Sequence, residues 1–168
     1  MTLREILTIS FLFILYLTLQ ILIVRNLVLF NYGFCFLYVA CILLLPNEMS
    51  QTVLLLLAFA TGIIVDTFYN TLGMHAAATV LMAYLRPLVV RVQLGQRIQE
   101  SRVVFTLQEL GLSDFSKYVI TLVLIHHSAL FLIEAGSLSL LIPTLLRTAV
   151  SAFFTTVSIV LIQFFTRN

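Results

Sequence analysis

The stretch TVLLLLAFATGIIVDTFYNTLGMHAAATVLMAYLRP, residues 52–87, contains two long apolar runs joined by a short turn at residues 70–73. Each run has close to the 20 residues or so that a helix needs to cross a bilayer core of about 30 Å. The stretch therefore predicts a hairpin of two transmembrane helices. It also places a carboxylate, Asp66, and an imidazole, His75, close to the turn, in very apolar surroundings.

The rest of the chain has the composition of a membrane protein. Of its 168 residues, 61% are hydrophobic and only 10% are charged, and its mean hydropathy of +1.13 is far above that of a soluble domain. The apolar runs lack the alternating polarity of transmembrane β-strands. We therefore predict an all-α polytopic membrane protein that forms one domain over residues 1–168.

Long apolar runs and their interruptions predict six transmembrane helices. The second is short for a span, so it begins nearer Leu27, tilts little or is partly re-entrant. Five and six spans both fit the sequence, and we predict six. The predicted helices cover residues 6–24, 34–45, 52–69, 72–90, 115–133 and 143–165.

The distribution of basic residues predicts the orientation in the membrane. Basic residues are concentrated in and around the longest polar connection, residues 91–116, which the positive-inside rule places in the cytoplasm. Both termini then also lie inside. Because three acidic residues are interspersed, this connection is a candidate contact for anionic lipid or a cytoplasmic partner, and not for nucleic acid. The basic residues are Arg86, Arg91, Arg97, Arg102 and Lys117.

Asp66 is predicted to lie inside the membrane, toward its outer side. A helix that begins at Thr52 places Asp66 roughly 21 Å along its axis, where an ionised carboxylate needs a partner. His75 and Arg147 have similar predicted depths. We predict an Asp66–Arg147 ion pair with His75 beside it, in a polar lock that also includes Gly62 and Gly73; snorkelling of both charges to the lipid headgroups is the alternative.

Three further ionisable residues lie in the predicted fifth helix: His126, His127 and Glu134. Glu134 is two turns from His127 and on the same face. Such groups can form a proton path or a metal site. Hydrogen bonds between helices, or contact of Glu134 with outer water, explain them more simply.

The sequence contains none of the common catalytic or metal-binding motifs, such as H-E-x-x-H, G-x-S-x-G, a P-loop or closely spaced cysteines and histidines. We therefore predict no catalytic residue, no metal and no cofactor. This pattern favours a non-enzymatic protein.

The ordered motifs of the chain resemble those of the rod-shape-determining protein MreD family. They are Phe59-Ala-Thr-Gly62-Ile-Ile-Val-Asp66, then Leu72-Gly73-Met74-His75, then Ala83-Tyr-Leu-Arg86-Pro87. His126-His127 with Glu134 and Leu145-Leu-Arg147-Thr add to the resemblance, which extends over most of the chain. The G-x-x-x-D block followed by L-G-x-H is its most specific part.

This resemblance implies a scaffold subunit in the bacterial inner membrane. Such proteins bind MreC and act with MreB filaments, RodA and a class B penicillin-binding protein in lateral peptidoglycan synthesis. The resemblance also implies a fold similar in outline to the substrate-binding components of energy-coupling-factor transporters.

A transporter component is therefore the alternative function. That alternative predicts a ligand pocket that opens outward and, in many members, small alanines in the first helix, but residues 1–25 contain no alanine. Whether Asp66 only stabilises the fold or also contacts a partner remains open at the level of sequence.

Overall fold

The computed structural model describes residues 3–29, 32–98 and 105–166. Within these residues the chain is helical apart from turns, a buried irregular segment and a two-stranded antiparallel pair. The long helices are α1 (Leu3–Leu22), α3 (Gln51–Tyr69), α4 (Met74–Ile98), α5 (Leu107–Ala135) and α6 (Leu141–Phe165). The short elements are β1 (Val28–Leu29), β2 (Gly33–Phe34) and α2 (Ala40–Leu43).

Five helices in the described part of the chain are long and apolar enough to cross a membrane. This confirms a multi-pass membrane protein of the all-α class. Helices α3, α4, α5 and α6 pack as sequential neighbours, and α6 also contacts β2. The α3–α4 turn defines one end of the bundle, the turn end; the opposite end, where α4 ends and α5 begins, is the loop end.

The prediction of one continuous helix over residues 34–45 is wrong. The chain forms β2, then a 3-10 turn at Leu37–Val39, then the four-residue α2. Residues 35–43 are almost completely buried inside the bundle. We call residues 34–45 the buried segment; because protein surrounds it, it need not be a regular helix to satisfy its backbone polar groups at membrane depth.

The buried segment runs from the turn end toward the loop end. Its beginning bonds to α6, where the backbone N–H of Phe34 donates to Ser151 Oγ at 3.0 Å. Its end contacts Arg86 of α4. Its last residues, Leu44 and Leu45, lie beside Ile9 and Leu12 in the first half of α1.

Neighbouring side chains supply the hydrogen bonds that irregular backbone lacks. The Phe36 N–H donates to Thr155 Oγ1 at 3.0 Å. The Gln20 amide forms two such hydrogen bonds: its Nε2 donates to the Cys35 carbonyl, and its Oε1 accepts from the Tyr38 N–H, each at 3.2 Å. Buried backbone groups that lack such partners cost free energy, so these side chains hold the segment in place.

The predicted polar connection at residues 91–116 is much shorter in the structure. Helix α4 continues through Pro87 to Ile98, and α5 already begins at Leu107. The helix breaks at Gly111, whose φ of 76° is outside the helical region. Arg91 is an exposed residue of α4, whereas Arg102 and the side chain of Arg97 lie outside the described residues.

Candidate functional site

The turn between α3 and α4 is built from two residues with positive φ. Asn70 ends α3 at φ 56° and Gly73 precedes α4 at φ 80°. Asn and Gly are the residues that adopt this backbone region most readily. The turn brings the last part of α3 directly beside the first turn of α4.

Asp66 uses both carboxylate oxygens in this turn. Oδ2 accepts from the Ala76 backbone N–H at 2.9 Å. Oδ1 accepts from the His75 backbone N–H at 3.0 Å and from the Thr71 hydroxyl. The carboxylate therefore caps α4 from the neighbouring helix, because the first N–H groups of a helix have no partner within it and carry partial positive charge. We call Asp66, Thr71, His75 and the Ala76 N–H the Asp66 cluster.

The His75 side chain completes the cluster. Its Nδ1 lies 3.1 Å from Asp66 Oδ1 and 3.0 Å from Thr71 Oγ1. Its Nε2 is buried and has no hydrogen-bond partner among the described residues. The ring packs 5.1 Å from that of Tyr69 and 5.4 Å from that of Phe36, measured between centroids. Of the two neighbours that similar depth predicted for Asp66, His75 is the one that contacts it.

The predicted Asp66–Arg147 ion pair is wrong. Arg147 instead pairs with Glu134, with 3.0 Å between Nη1 and Oε2. Its guanidinium also lies over the rings of Phe34 and Phe131, at 4.6 and 4.5 Å from their centroids. Arg147 belongs to α6, and similar depth could not predict that Phe34 and Phe131 hold its side chain against α5 and not against α3.

The Glu134–Arg147 pair is expected to contribute little to stability. The two side chains are 40% and 29% exposed, and exposed ion pairs are typically worth 0 to about 1 kcal/mol. Glu134→Gln should therefore lower the free energy of unfolding by less than about 1 kcal/mol, measured by denaturant unfolding in detergent. A loss of about 3 kcal/mol, the size expected when one partner of a buried ion pair is removed, would show that the pair is a structural lock.

His126 and His127 hydrogen-bond to different partners inside the bundle. His126 Nε2 lies 2.6 Å from Tyr38 Oη, and His127 Nε2 lies 3.1 Å from Thr155 Oγ1. Glu134, predicted to share their face, is held by Arg147. Among the described residues there is no group of three or more histidine, cysteine or acidic side chains placed to hold a metal ion.

Arg86 is not part of an exposed basic loop. Its side chain is only 4% exposed. Nε donates to Tyr118 Oη at 2.8 Å, and Nη2 donates to the Leu43 and Leu45 carbonyls. Arg86 thus caps the end of α2, where helix carbonyls have no internal partner and a cation is favourable.

An Arg86→Ala variant should be strongly destabilised. It leaves the Leu45 carbonyl inside the bundle without the donor that it has in the wild type. Losing hydrogen bonds from a charged donor to buried acceptors costs on the order of 3 kcal/mol. Arg91→Ala, an exposed position on the same helix, is the control and should stay within about 0.5 kcal/mol of wild type. Equal losses in the two variants would contradict the capping role.

Two sets of buried polar groups were not predicted from the sequence: Gln20 and the hydroxyl groups of α6. Gln20 is completely buried, and it bonds both to the buried segment and, through Nε2, to Tyr69 Oη at 2.7 Å. A glutamine near the end of an otherwise apolar span was a usable signal, since intramembrane polar side chains tend to face other helices. Ser151 and Thr155 gave a weaker signal, because such residues also bond within their own helix.

The geometry of these sites serves to hold helices together. The Asp66 carboxylate is 4% exposed and its oxygens already accept hydrogen bonds from the chain itself. Comparison of the chain with protein-family models, curated proteins and solved structures finds no match.

Proposed function

We propose that this chain is a non-enzymatic scaffold subunit of the bacterial cell-elongation complex, of the MreD type. In this proposal it binds MreC in the inner membrane and acts indirectly with MreB, RodA and a class B penicillin-binding protein. Its loop end, with both termini, faces the cytoplasm, in line with the basic residues Arg86, Arg91 and Lys117 near that end.

The observation that carries the proposal is what the motif residues do in the fold. Gly62 lets α3 approach Ala76 of α4 closely, Gly73 forms the turn, and Asp66 caps α4. The residues that carry the most specific part of the resemblance therefore form one structural unit. A scaffold needs such a fixed shape, because small residues and a few polar contacts must specify helix packing where lipid gives little hydrophobic drive.

The alternative is a membrane-embedded substrate-binding component of a vitamin or small-molecule transporter. One observation favours it: a cavity of about 330 Å³ at the turn end, with Tyr32, Glu134 and Arg147 in its lining, is at the lower limit for ligand pockets. Against it, Phe36 fills the centre of this half of the bundle. Phe36 is 4% exposed and packs on the rings of His75, His127 and Phe131.

Affinity purification from native membranes tests the two functions. The chain carries a tag at one terminus and is extracted in mild detergent, with an unrelated tagged multi-pass protein as control. We expect MreC to copurify with this chain and not with the control. Recovery of a transmembrane coupling protein with two ATPases, in place of MreC, would overturn the scaffold proposal.

A further inference from the structure

A second, larger cavity lies at the loop end of the bundle, far from the Asp66 cluster. It has a volume of about 650 Å³ and lies between the turn that precedes α3 and the middle of α4. The turn contributes Asn47 and Met49, and α3 contributes its first residue, Gln51. The cavity is open on one side, where the surface of α4 would meet lipid.

The lining of this cavity is positively charged. Arg86 and Arg91 both line it, and no acidic residue is among the lining residues of the described chain. The Arg86 Nε and Nη2 groups are occupied by Tyr118 and backbone carbonyls, but its Nη1 group forms no hydrogen bond with any described residue. One buried and one exposed guanidinium therefore line a single cavity, and Glu48, which lies between the lining residues Asn47 and Met49, is not itself among the residues that line it.

The cavity is also amphipathic. Asn47 and Gln51 add polar groups beside the arginines, whereas Leu54, Tyr84 and Leu88 form an apolar wall. Tyr84 and Leu88 are 64% and 58% exposed, so this wall continues onto the outside of the bundle. A ligand with an anionic head and an apolar tail matches this division.

We propose that this cavity binds an anionic phospholipid, with the headgroup phosphate at Arg86 and Arg91 and the acyl chains along Tyr84 and Leu88. Guanidinium groups form strong, directional hydrogen bonds to phosphate oxygens. Basic pockets between transmembrane helices are known to hold lipid headgroups. The proposal is independent of the scaffold function.

The proposed site also has a structural consequence for the bundle. Arg86 caps the buried segment through its hydrogen bonds to Tyr118 and to the Leu43 and Leu45 carbonyls. A phosphate beside Arg86 would place a negative charge next to this buried positive charge. Bound lipid should therefore raise the melting temperature of the wild-type protein, because a ligand that binds only the folded state stabilises it.

Native mass spectrometry of the full chain released from nanodiscs tests the site. The nanodiscs contain equal amounts of phosphatidylglycerol and phosphatidylcholine, and the ratio of the two lipids retained is measured. We expect the wild type to prefer phosphatidylglycerol, and Arg91→Gln to lower this preference about fivefold, the effect of one basic residue near an anionic surface. Arg91→Lys keeps the charge but lacks the paired guanidinium donors, so it should fall between the wild type and Arg91→Gln.

Lys117→Gln is the matched control. Lys117 lies toward the same end of the bundle, is 69% exposed and does not line this cavity. Equal losses in Arg91→Gln and Lys117→Gln would show only general attraction to an anionic surface and would overturn the site. So would equal retention of the two lipids by the wild type, or displacement of the lipid by inorganic phosphate, which would identify a free anion as the ligand.

Discussion

A Gly62→Ala variant should be strongly destabilised, because there is no space for one methyl group between α3 and α4. A Cβ atom at position 62 would lie 2.3 Å from the Ala76 Cα and 2.6 Å from the Ala76 nitrogen. Both are backbone atoms, so the two helices must separate. Overpacking of this kind costs about 3 kcal/mol, and separation also pulls the Ala76 N–H away from Asp66, to which it donates.

Thermal unfolding of Gly62→Ala can be followed through the two buried cysteines of this chain and compared with a control at a second glycine. The chain has no tryptophan, but Cys35 and Cys41 are free and buried, so a thiol-reactive dye reports unfolding on heating. Gly95→Ala is the control, because a Cβ at this helical position meets nothing within 4 Å; it should be neutral or stabilising by up to about 1 kcal/mol. A Gly62→Ala variant that melts like Gly95→Ala would refute the close approach.

An Asp66→Ala variant should be destabilised by a similar amount, for an electrostatic reason. It removes the acceptor of the His75 and Ala76 N–H groups at the start of α4. Loss of a helix cap costs up to about 2 kcal/mol, and buried donors without partners add to this. We expect a total of roughly 3 kcal/mol in the same thermal measurement.

Thr67→Ala is the matched control for Asp66→Ala. Thr67 is the next residue on α3, but it is exposed, and its hydroxyl donates only to the Ile63 carbonyl of its own helix. Its removal should change stability by less than about 0.5 kcal/mol. Asp66→Asn keeps one acceptor oxygen and should give an intermediate loss. If Asp66→Ala retained wild-type stability, Asp66 would have no capping role, and contact with a partner would become its main explanation.

The long helices were predictable because length and apolarity alone decide whether a helix can cross a membrane. The buried segment was not, because an apolar run inside protein has the same composition as one facing lipid. Its 12 residues, 34–45, are too few for an ordinary span. This short length was the one sign in the sequence that the segment is not a regular transmembrane helix. Which side chains would replace the missing helical hydrogen bonds depends on packing between distant parts of the chain, such as Phe34 with Ser151.

The site was predictable where two residues flank one turn, and not where partners lie on separate helices. The proximity of Asp66 and His75 was predictable because the two residues lie at similar distances on either side of the turn at residues 70–73. Arg147 was assigned to the wrong acid because depth along a helix does not reveal which helices are neighbours. Arg86 was assigned to a surface loop because an arginine near the end of a span is usually interfacial; its burial depends on carbonyls of the buried segment.

The dependence of the buried segment on α6 has a consequence for biosynthesis. Chains emerge from the ribosome N-terminus first, so residues 34–45 are made long before the last helix. Until α6 is in place, the Phe34 and Phe36 N–H groups lack the acceptors Ser151 and Thr155, a state that apolar surroundings strongly disfavour. Helix α1 and the α3–α4 hairpin can enter the membrane as they are made. The buried segment, however, obtains its full set of hydrogen bonds only when α6 packs against it.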